Sequence, residues 1–135
     1  MKYIFGIGTD LVAIARIEQA LERHGDAFAG RLLSDEEMRE YRKRQNKAAF
    51  LAKRFAAKEA IAKALGTGIG AELGLRDMTI THGESGRPLV VLRGTGEDTR
   101  VRLGVGTVHL SISDERRYAT AFAVAEGTAN HRYPS

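Results

Sequence analysis

The sequence contains no cysteine. The chain therefore has neither a disulfide framework nor a thiolate nucleophile, which suits a reducing compartment and predicts a cytoplasmic location. It also lacks any apolar run close to the roughly 20 residues of a membrane-spanning helix. The opening Met1–Phe5 reaches Asp10 too soon to form the apolar region of a signal peptide. We therefore expect a protein that does not enter a membrane.

The length of 135 residues predicts one domain over residues 1–135. That length is sufficient for a real hydrophobic core but small for enclosing a large cofactor within one chain. A site shared between subunits would remove this difficulty.

The charge balance favours an anionic partner, because 21 Lys and Arg face 17 Asp and Glu, a net charge of +4. Charge alone leaves open a nucleic acid, a nucleotide or an acidic protein. Aromatic residues are only 7% of the chain and are not interleaved with basic residues on any predicted strand, so we expect no nucleic-acid partner. A non-catalytic assembly subunit remains an alternative to an enzyme.

Hydrophobic periodicity and turn signals predict an α+β fold, with N-terminal helices packed on a small, mainly antiparallel sheet. Gly94–Gly104 is rich in glycine and predicts no well-formed helix, and Gly127–Ser135 predicts a loose tail. The predicted elements are a buried strand at Tyr3–Gly8, a helix at Leu11–Leu33 broken at Gly25, a helix that the Ser34–Glu37 capping box opens and that runs to about Arg44, a helix at Ala48–Leu65, and strands at Asp77–His82, Leu89–Arg93, Val105–Ser113 and Tyr118–Glu126.

The last predicted strand has no polar face. Alanine occupies positions 119, 121, 123 and 125 on one face, and Thr120, Phe122 and Val124 occupy the other. Because the helices of a small α+β protein cover only one side of its sheet, the other side needs a second subunit. We expect a homo-oligomer in which the alanine face packs against another subunit.

The helix at Ala48–Leu65 places its charges on two different flanks. At roughly 100° per residue, Arg54 and Lys58 lie near the apolar arc, whereas Glu59 and Lys63 lie one turn apart on another flank. Glu59 with Asp10 predicts a magnesium site, because Mg²⁺ binds one or two carboxylates together with water and phosphate oxygens. The simpler alternatives are a surface ion pair for Glu59 and Lys63 and a helix N-cap for Asp10.

Two segments resemble, residue for residue, the signature motifs of the 4′-phosphopantetheinyl transferases, specifically their short holo-acyl-carrier-protein synthase group. They are Gly6-Ile7-Gly8-Thr9-Asp10 and the run from Arg54 to Ala64. Further matches follow in the order of the family at Arg16–Glu18, Leu33–Glu37, Gly66–Ile69, Gly86–Pro88 and His109–Asp114. Where the family often has a second histidine after Ser113, this chain has Asp114.

The resemblance implies Mg²⁺-dependent transfer of 4′-phosphopantetheine from coenzyme A to a serine of an apo acyl carrier protein, releasing adenosine 3′,5′-bisphosphate. The carrier implied is that of fatty acid biosynthesis, with a polyketide carrier as the alternative. A homotrimer with active sites between its subunits is also implied. The residues so assigned are Asp10, Glu59, Lys63 and His109 as catalytic, and Arg54, Lys63, Gly66, Arg87, Pro88, His109 and Ser111 as coenzyme A ligands.

Several of these roles have alternatives. Arg54 and Lys63 are expected at the pyrophosphate, Arg for its forked donors and Lys as a point charge. Gly66 also suits a helix C-cap, and His109 also suits a structural role on its strand. Glu59, a metal-bound water and His109 all remain candidates for the base that takes the serine proton.

Acyl carrier proteins are strongly acidic, so the net positive charge of this chain would attract such a partner. Arg16 and Arg23, on the polar side of the first predicted helix, are the expected docking residues. Both also suit the role of ordinary solvated helix charges.

Overall fold

The computed structural model describes residues 1–128 and forms two antiparallel sheets with five α-helices. One sheet has three strands in the order β1–β5–β4, and β2 pairs with β3 in a separate hairpin, which confirms the predicted α+β class. No helix of residues 1–128 is long and apolar enough to cross a membrane. The elements are β1 (Lys2–Ala13), α1 (Ile14–His24), α2 (Asp26–Leu32), α3 (Asp35–Lys43), α4 (Lys47–Leu65), a 3₁₀ turn (Leu75–Asp77), β2 (Met78–His82), β3 (Pro88–Leu92), α5 (Gly94–Leu103), β4 (Val105–Asp114) and β5 (Tyr118–Thr128).

Helix α4 lies on one face of the three-stranded sheet and forms the centre of the core. Two glycines of β1 allow it to approach very closely. A Cβ atom built on Gly8 would lie 2.1 Å from the carbonyl oxygen of Ala60, and one built on Gly6 would lie 2.1 Å from that of Ala64. Only glycine fits at these two positions, because the obstructing atoms belong to the helix backbone.

This close approach leads to a stability prediction. We expect Gly8→Ala to lower the free energy of unfolding by about 1–3 kcal/mol, because the added methyl group forces β1 away from α4. Gly30→Ala is the matched control, since a Cβ on this glycine of α2 meets nothing within 4 Å. It should raise stability by up to about 1 kcal/mol through helix propensity. Urea unfolding measures both, and equal stability of the two variants would contradict the packing described.

The alanine face of β5 faces α4 of the same chain. Ala119, Ala121, Ala123 and Ala125 are at most 2% exposed in a single chain. The expectation that this face packs against another subunit is therefore wrong. Small side chains here serve to bring the chain's own helix close to its own sheet.

The opposite face of the three-stranded sheet, which we call the open sheet face, is covered by no element of residues 1–128. Its large apolar side chains are Ile4, Ile7 and Leu11 of β1, exposed by 60–66%, and Tyr118 and Phe122 of β5, exposed by 45% and 47%. His109 and Ser111 of β4 lie on the same face, since their partners on β5 are Val124 and Phe122. A patch of this kind on a small protein marks an interaction surface.

The boundary between β1 and α1 differs from the prediction. Strand β1 continues past Gly8 to Ala13, pairing with β5 up to Tyr118, and α1 begins only at Ile14. Asp10 therefore lies within a strand and is not a helix N-cap, a position that Ala13 occupies. The apolar spacing of Leu11, Ile14 and Ile17 suits a helix, but cross-strand pairing determines the conformation of its first residues.

The prediction that Gly94–Gly104 forms no well-formed helix is wrong. Gly94–Leu103 is a helix although it is rich in glycine. Gly104 ends it in the left-handed conformation, and Gly96 packs so tightly that a Cβ would lie 2.9 Å from Leu73 and from Asp77. Of the predicted tail, Gly127 and Thr128 belong to β5, and residues 129–135 lie outside the described residues.

Candidate active site

Strand β1 and helix α4 bring Asp10 and Lys63 together. Asp10 lies opposite Ala121 of β5 and so points to the α4 side of the sheet, with its side chain 18% exposed. The ammonium group of Lys63 donates a hydrogen bond to the carbonyl oxygen of Thr9 at 2.8 Å and lies 3.3 Å from Oδ1 of Asp10. The carboxylate and the ammonium thus share one site at the junction of the two elements.

Glu59, one turn before Lys63, completes this group. Burial raises the pKa of its carboxyl group, the negative charge of Asp10 raises it further, and Lys63 opposes the rise. Two carboxylates that repel each other in this way form a place that a cation stabilises. Within residues 1–128 no three His, Cys, Asp or Glu side chains form a metal-binding group, so these two carboxylates are the acidic donors available at this site. Such a donor set fits Mg²⁺, with water and phosphate oxygens as further ligands.

The two carboxylates open into a cleft of about 330 Å³. Arg16 of α1 borders this cleft, whereas Arg23 lies two turns further along α1 and does not line it. The apolar lining consists of Leu11, Val12, Ile17, Ala20, Phe28 and Phe55. The site therefore combines a polar floor, a basic rim and an apolar wall.

Arg54 occupies a different environment from the one predicted. It is 3% exposed, with Nε 3.2 Å from a Glu37 carboxylate oxygen and Nη2 3.2 Å from one of Glu40. Nine residues separate it from Lys63, which at about 100° per residue places the two on opposite sides of α4. Within one chain Arg54 and Lys63 therefore do not line the same site, and the role of Arg54 as a coenzyme A ligand remains a prediction.

Arg54 instead borders a second cleft of about 270 Å³, which we call the basic cleft. Arg44 and Lys53 supply further positive charge there. Burial and then the charge of Arg54 lower the pKa of His82, with smaller contributions from Arg44 and Lys53, and Glu40 opposes the shift. Pro88, one of the predicted coenzyme A ligands, lies in the same cleft. Arg44 and Lys53 were not predicted, although the basic run 42–44 just before α4 is a signal that could have pointed to them.

The remaining predicted residues lie elsewhere. His109 is on the open sheet face, 57% exposed, with Nε2 3.6 Å from Glu126, and Ser111 follows it on the same face. Both face away from Asp10, because Asp10 projects to the α4 side of that sheet. Gly66 ends α4 in the left-handed conformation as a C-cap, and Arg87 is exposed in the turn between β2 and β3. The assigned roles of these four residues remain predictions.

One chain thus contains an acidic site with a lysine, a basic cleft, and a histidine on an uncovered sheet face. The acidic site is suited to holding a cation that would neutralise charge on a phosphate ester, and the basic cleft is suited to holding an anionic group. For all three groups to act on one ligand, parts of two chains must meet.

Comparison with known proteins identifies the family. A family model described as the 4′-phosphopantetheinyl transferase superfamily matches residues 6–123. The chain is 50% identical over 121 residues to the holo-[acyl-carrier-protein] synthase of Halorhodospira halophila, covering 90% of this chain and 96% of that protein.

Solved structures give the same result. The holo-[acyl-carrier-protein] synthase of Neisseria meningitidis matches at 42% identity with a TM-score of 0.88, over 91% of this chain and 98% of that one. That of Helicobacter pylori, in complex with coenzyme A, matches at 34% identity with a TM-score of 0.78, over 88% of this chain and 98% of that one. The chain belongs to the 4′-phosphopantetheinyl transferase superfamily and, within it, to the holo-[acyl-carrier-protein] synthases.

Proposed function

We propose that this chain transfers the 4′-phosphopantetheine group of coenzyme A to a serine hydroxyl of an apo acyl carrier protein and releases adenosine 3′,5′-bisphosphate. The observation that carries the proposal is the grouping of Asp10, Glu59 and Lys63 beside one cleft. Two carboxylates and an ammonium group so arranged suit phosphoryl transfer, in which catalysis rests on positioning and charge stabilisation. The shared family and the coenzyme A complex of the H. pylori relative support it.

In this reaction the serine oxygen bonds to the phosphorus that carries the pantetheine arm, and the bond from that phosphorus to the bridging pyrophosphate oxygen breaks. Asp10 and Glu59 would hold Mg²⁺, which when bound neutralises charge on the pyrophosphate. Lys63 exchanges its contact with Asp10 for a hydrogen bond to the leaving phosphate. The serine proton passes to a base, for which Glu59 is suited by its raised pKa, with water and His109 as alternatives.

We further propose a homotrimer in which the open sheet face forms the subunit interface. His109 and Ser111 on that face then reach the acidic site of a neighbouring chain, which they cannot do within their own. Arg44 and Lys53 in the basic cleft hold phosphate groups of the adenosine portion of coenzyme A. The exposed apolar side chains of the open sheet face support this arrangement.

The carrier protein docks at α1, where Arg16 lines the same cleft as Asp10 and Glu59. We expect Arg16→Glu to raise the KM for the carrier protein roughly fivefold, the factor that about 1 kcal/mol corresponds to. A rim charge acts mainly on encounter, so added salt should reduce the difference from the parent, and coenzyme A binding should stay unchanged. Steady-state kinetics at two ionic strengths measures the effect. Calorimetry that showed lost coenzyme A affinity would instead place Arg16 in the coenzyme A site.

Arg23→Glu is the comparison variant, because Arg23 lies on the same side of α1 but outside the cleft. We expect a smaller rise in the KM for the carrier protein than with Arg16→Glu. Equal effects would show that docking depends on the whole charged surface of α1.

The proposed activity is tested by incubating the chain with coenzyme A, Mg²⁺ and an apo carrier protein and weighing the carrier by mass spectrometry. A gain of one phosphopantetheine supports the proposal, and an unchanged carrier mass opposes it. Running fatty-acid and polyketide carriers in parallel identifies the preferred partner. The cytoplasmic location inferred from the sequence remains a prediction.

A further inference from the structure

Lys58 and Glu37 form a buried ion pair between α4 and α3, on the side of α4 that also carries Arg54. Lys58 is 0% exposed and Glu37 is 1% exposed. The ammonium group of Lys58 donates to Oε1 of Glu37 at 2.6 Å, to the carbonyl oxygen of Leu32 at 2.7 Å and to that of Leu75 at 3.0 Å. All three of its N–H donors are therefore used, and each acceptor belongs to a different segment of the chain.

Glu37 in turn links several elements. Its Oε1 also accepts from the backbone N–H of Ser34, at the start of α3, and its Oε2 accepts from the N–H of Ile80 in β2. The same Oε2 lies 3.2 Å from Nε of Arg54, so two bases of α4 share this carboxylate. One side of α4 is thus attached to α2, α3, the 3₁₀ turn and the β2–β3 hairpin.

Stability alone does not explain such a pair. Moving two charges out of water is costly, and replacing a buried ion pair by apolar residues of similar size is often neutral or stabilising. Hydrogen bonds have preferred directions, so they restrain the orientation of a helix more strictly than apolar packing does. Lys58 immediately precedes Glu59, so whatever sets the rotation of α4 at Lys58 also sets the direction of the Glu59 carboxylate.

We propose that Lys58 and Glu37 are positioning residues that fix the rotation of α4 about its axis so that Glu59 and Lys63 face Asp10. On the opposite side, Gly6 and Gly8 bring β1 against the backbone of α4 at Ala60 and Ala64. The hydrogen bonds of Lys58 and Glu37 add directional restraints on the rotation of α4 from the other side. A rotation of about 20° displaces a side-chain end about 5–6 Å from the axis by about 2 Å. Misplacement by about 1 Å can lower a rate by about 100-fold, so this restraint matters for the reaction.

The inference rests on the proposed function, and the unaltered chain must first transfer phosphopantetheine in the mass assay. If it does not, the function fails and the positioning proposal is judged by metal binding alone. Three variants are compared: Lys58→Met, Glu37→Gln, and the double variant. Asp35→Asn is the control, because the pair of Asp35 with Arg76 at 2.6 Å joins α3 to the 3₁₀ turn at the surface, where the Asp35 side chain is 88% exposed.

For Lys58→Met we expect kcat to fall at least tenfold and Mn²⁺ binding, followed by electron paramagnetic resonance, to weaken at least fivefold. At saturating Mg²⁺ the KM for coenzyme A should stay within threefold, because Lys58 does not line the basic cleft proposed to hold the adenosine portion. Lys58→Met also leaves the Glu37 carboxylate without its closest cation, so its thermal stability should fall. Asp35→Asn should leave all of these quantities unchanged.

The double variant separates positioning from stability. With the charges of Lys58 and Glu37 both removed and Arg54 still paired with Glu40, it should recover part of the thermal stability lost in Lys58→Met, whereas kcat and Mn²⁺ affinity should stay low. Recovery of kcat and Mn²⁺ affinity together with stability would overturn the proposal, because the pair would then be purely structural. If neither Lys58 variant folds, Glu37→Gln decides, since it keeps an acceptor of the same shape. Unchanged kcat and Mn²⁺ affinity in that variant would also overturn the proposal.

Discussion

Asp10→Asn and Glu59→Gln should each lower the transfer rate by at least about 100-fold, because each removes one of two carboxylates from a metal that otherwise depends on water and phosphate. The amides keep the shape of the side chains, so the change is in charge and ligand strength alone. The mass assay with coenzyme A, Mg²⁺ and apo carrier protein measures the loss. A rate within about threefold of the parent would refute the role of either residue.

The same variants should not harm the fold. Because Asp10 raises the pKa of Glu59, the two carboxylates repel each other in the folded state, and removing one charge relieves that repulsion. Asp10→Asn also weakens the 3.3 Å contact with Lys63, but the Lys63 side chain is half exposed, so that contact contributes little to stability. We therefore expect thermal unfolding without Mg²⁺ at an unchanged or higher temperature. Glu84→Gln, in the exposed turn between β2 and β3, is the control and should change neither property. Lost activity that accompanied lost stability would point to a structural role instead.

The sequence predicted helix α4 and its charges well because the relevant information is local. The 3.6-residue period places Glu59 and Lys63 on one flank and Arg54 and Lys58 on another, and the structure has this division. The capping box at Ser34 and the C-cap at Gly66 were likewise readable from neighbouring residues. Each of these features depends on contacts within a few positions along the chain.

The errors concern contacts between distant residues. The extension of β1 to Ala13 depends on pairing with β5, more than 100 positions away. The composition of the alanine face does not tell whether a helix of the same chain or another subunit packs against it. Small side chains allow close packing with either. Arg54 was predicted to bind phosphate because its motif resembles that of the family. Its pairing with Glu37 and Glu40 depends on how α3 packs against α4.

The open sheet face provides the second large prediction. Phe122 lies at its centre, paired with Thr9 of β1 and Ser111 of β4. If this face forms the subunit interface, Phe122→Arg places an unpaired charge in a close-packed contact, and such burial costs several kcal/mol. We expect the variant to be monomeric by sedimentation and the parent to be a trimer. Ile7→Arg, on β1 of the same face, should have the same effect without altering a neighbour of Ser111.

Val101→Arg is the matched control, because Val101 is 62% exposed on α5, much as Ile7 is 60% exposed on β1, but lies away from the open sheet face. It should leave both the oligomer and coenzyme A binding intact.

The two interface variants should lose coenzyme A binding although Asp10, Glu59, Lys63 and the basic cleft are unchanged. The reason is that His109 and Ser111 lie on the opposite side of their own sheet from Asp10 and reach an acidic site only across the interface. A monomer that binds coenzyme A normally would show that each chain holds a complete site. A variant that stays trimeric would show that the subunits meet through another surface.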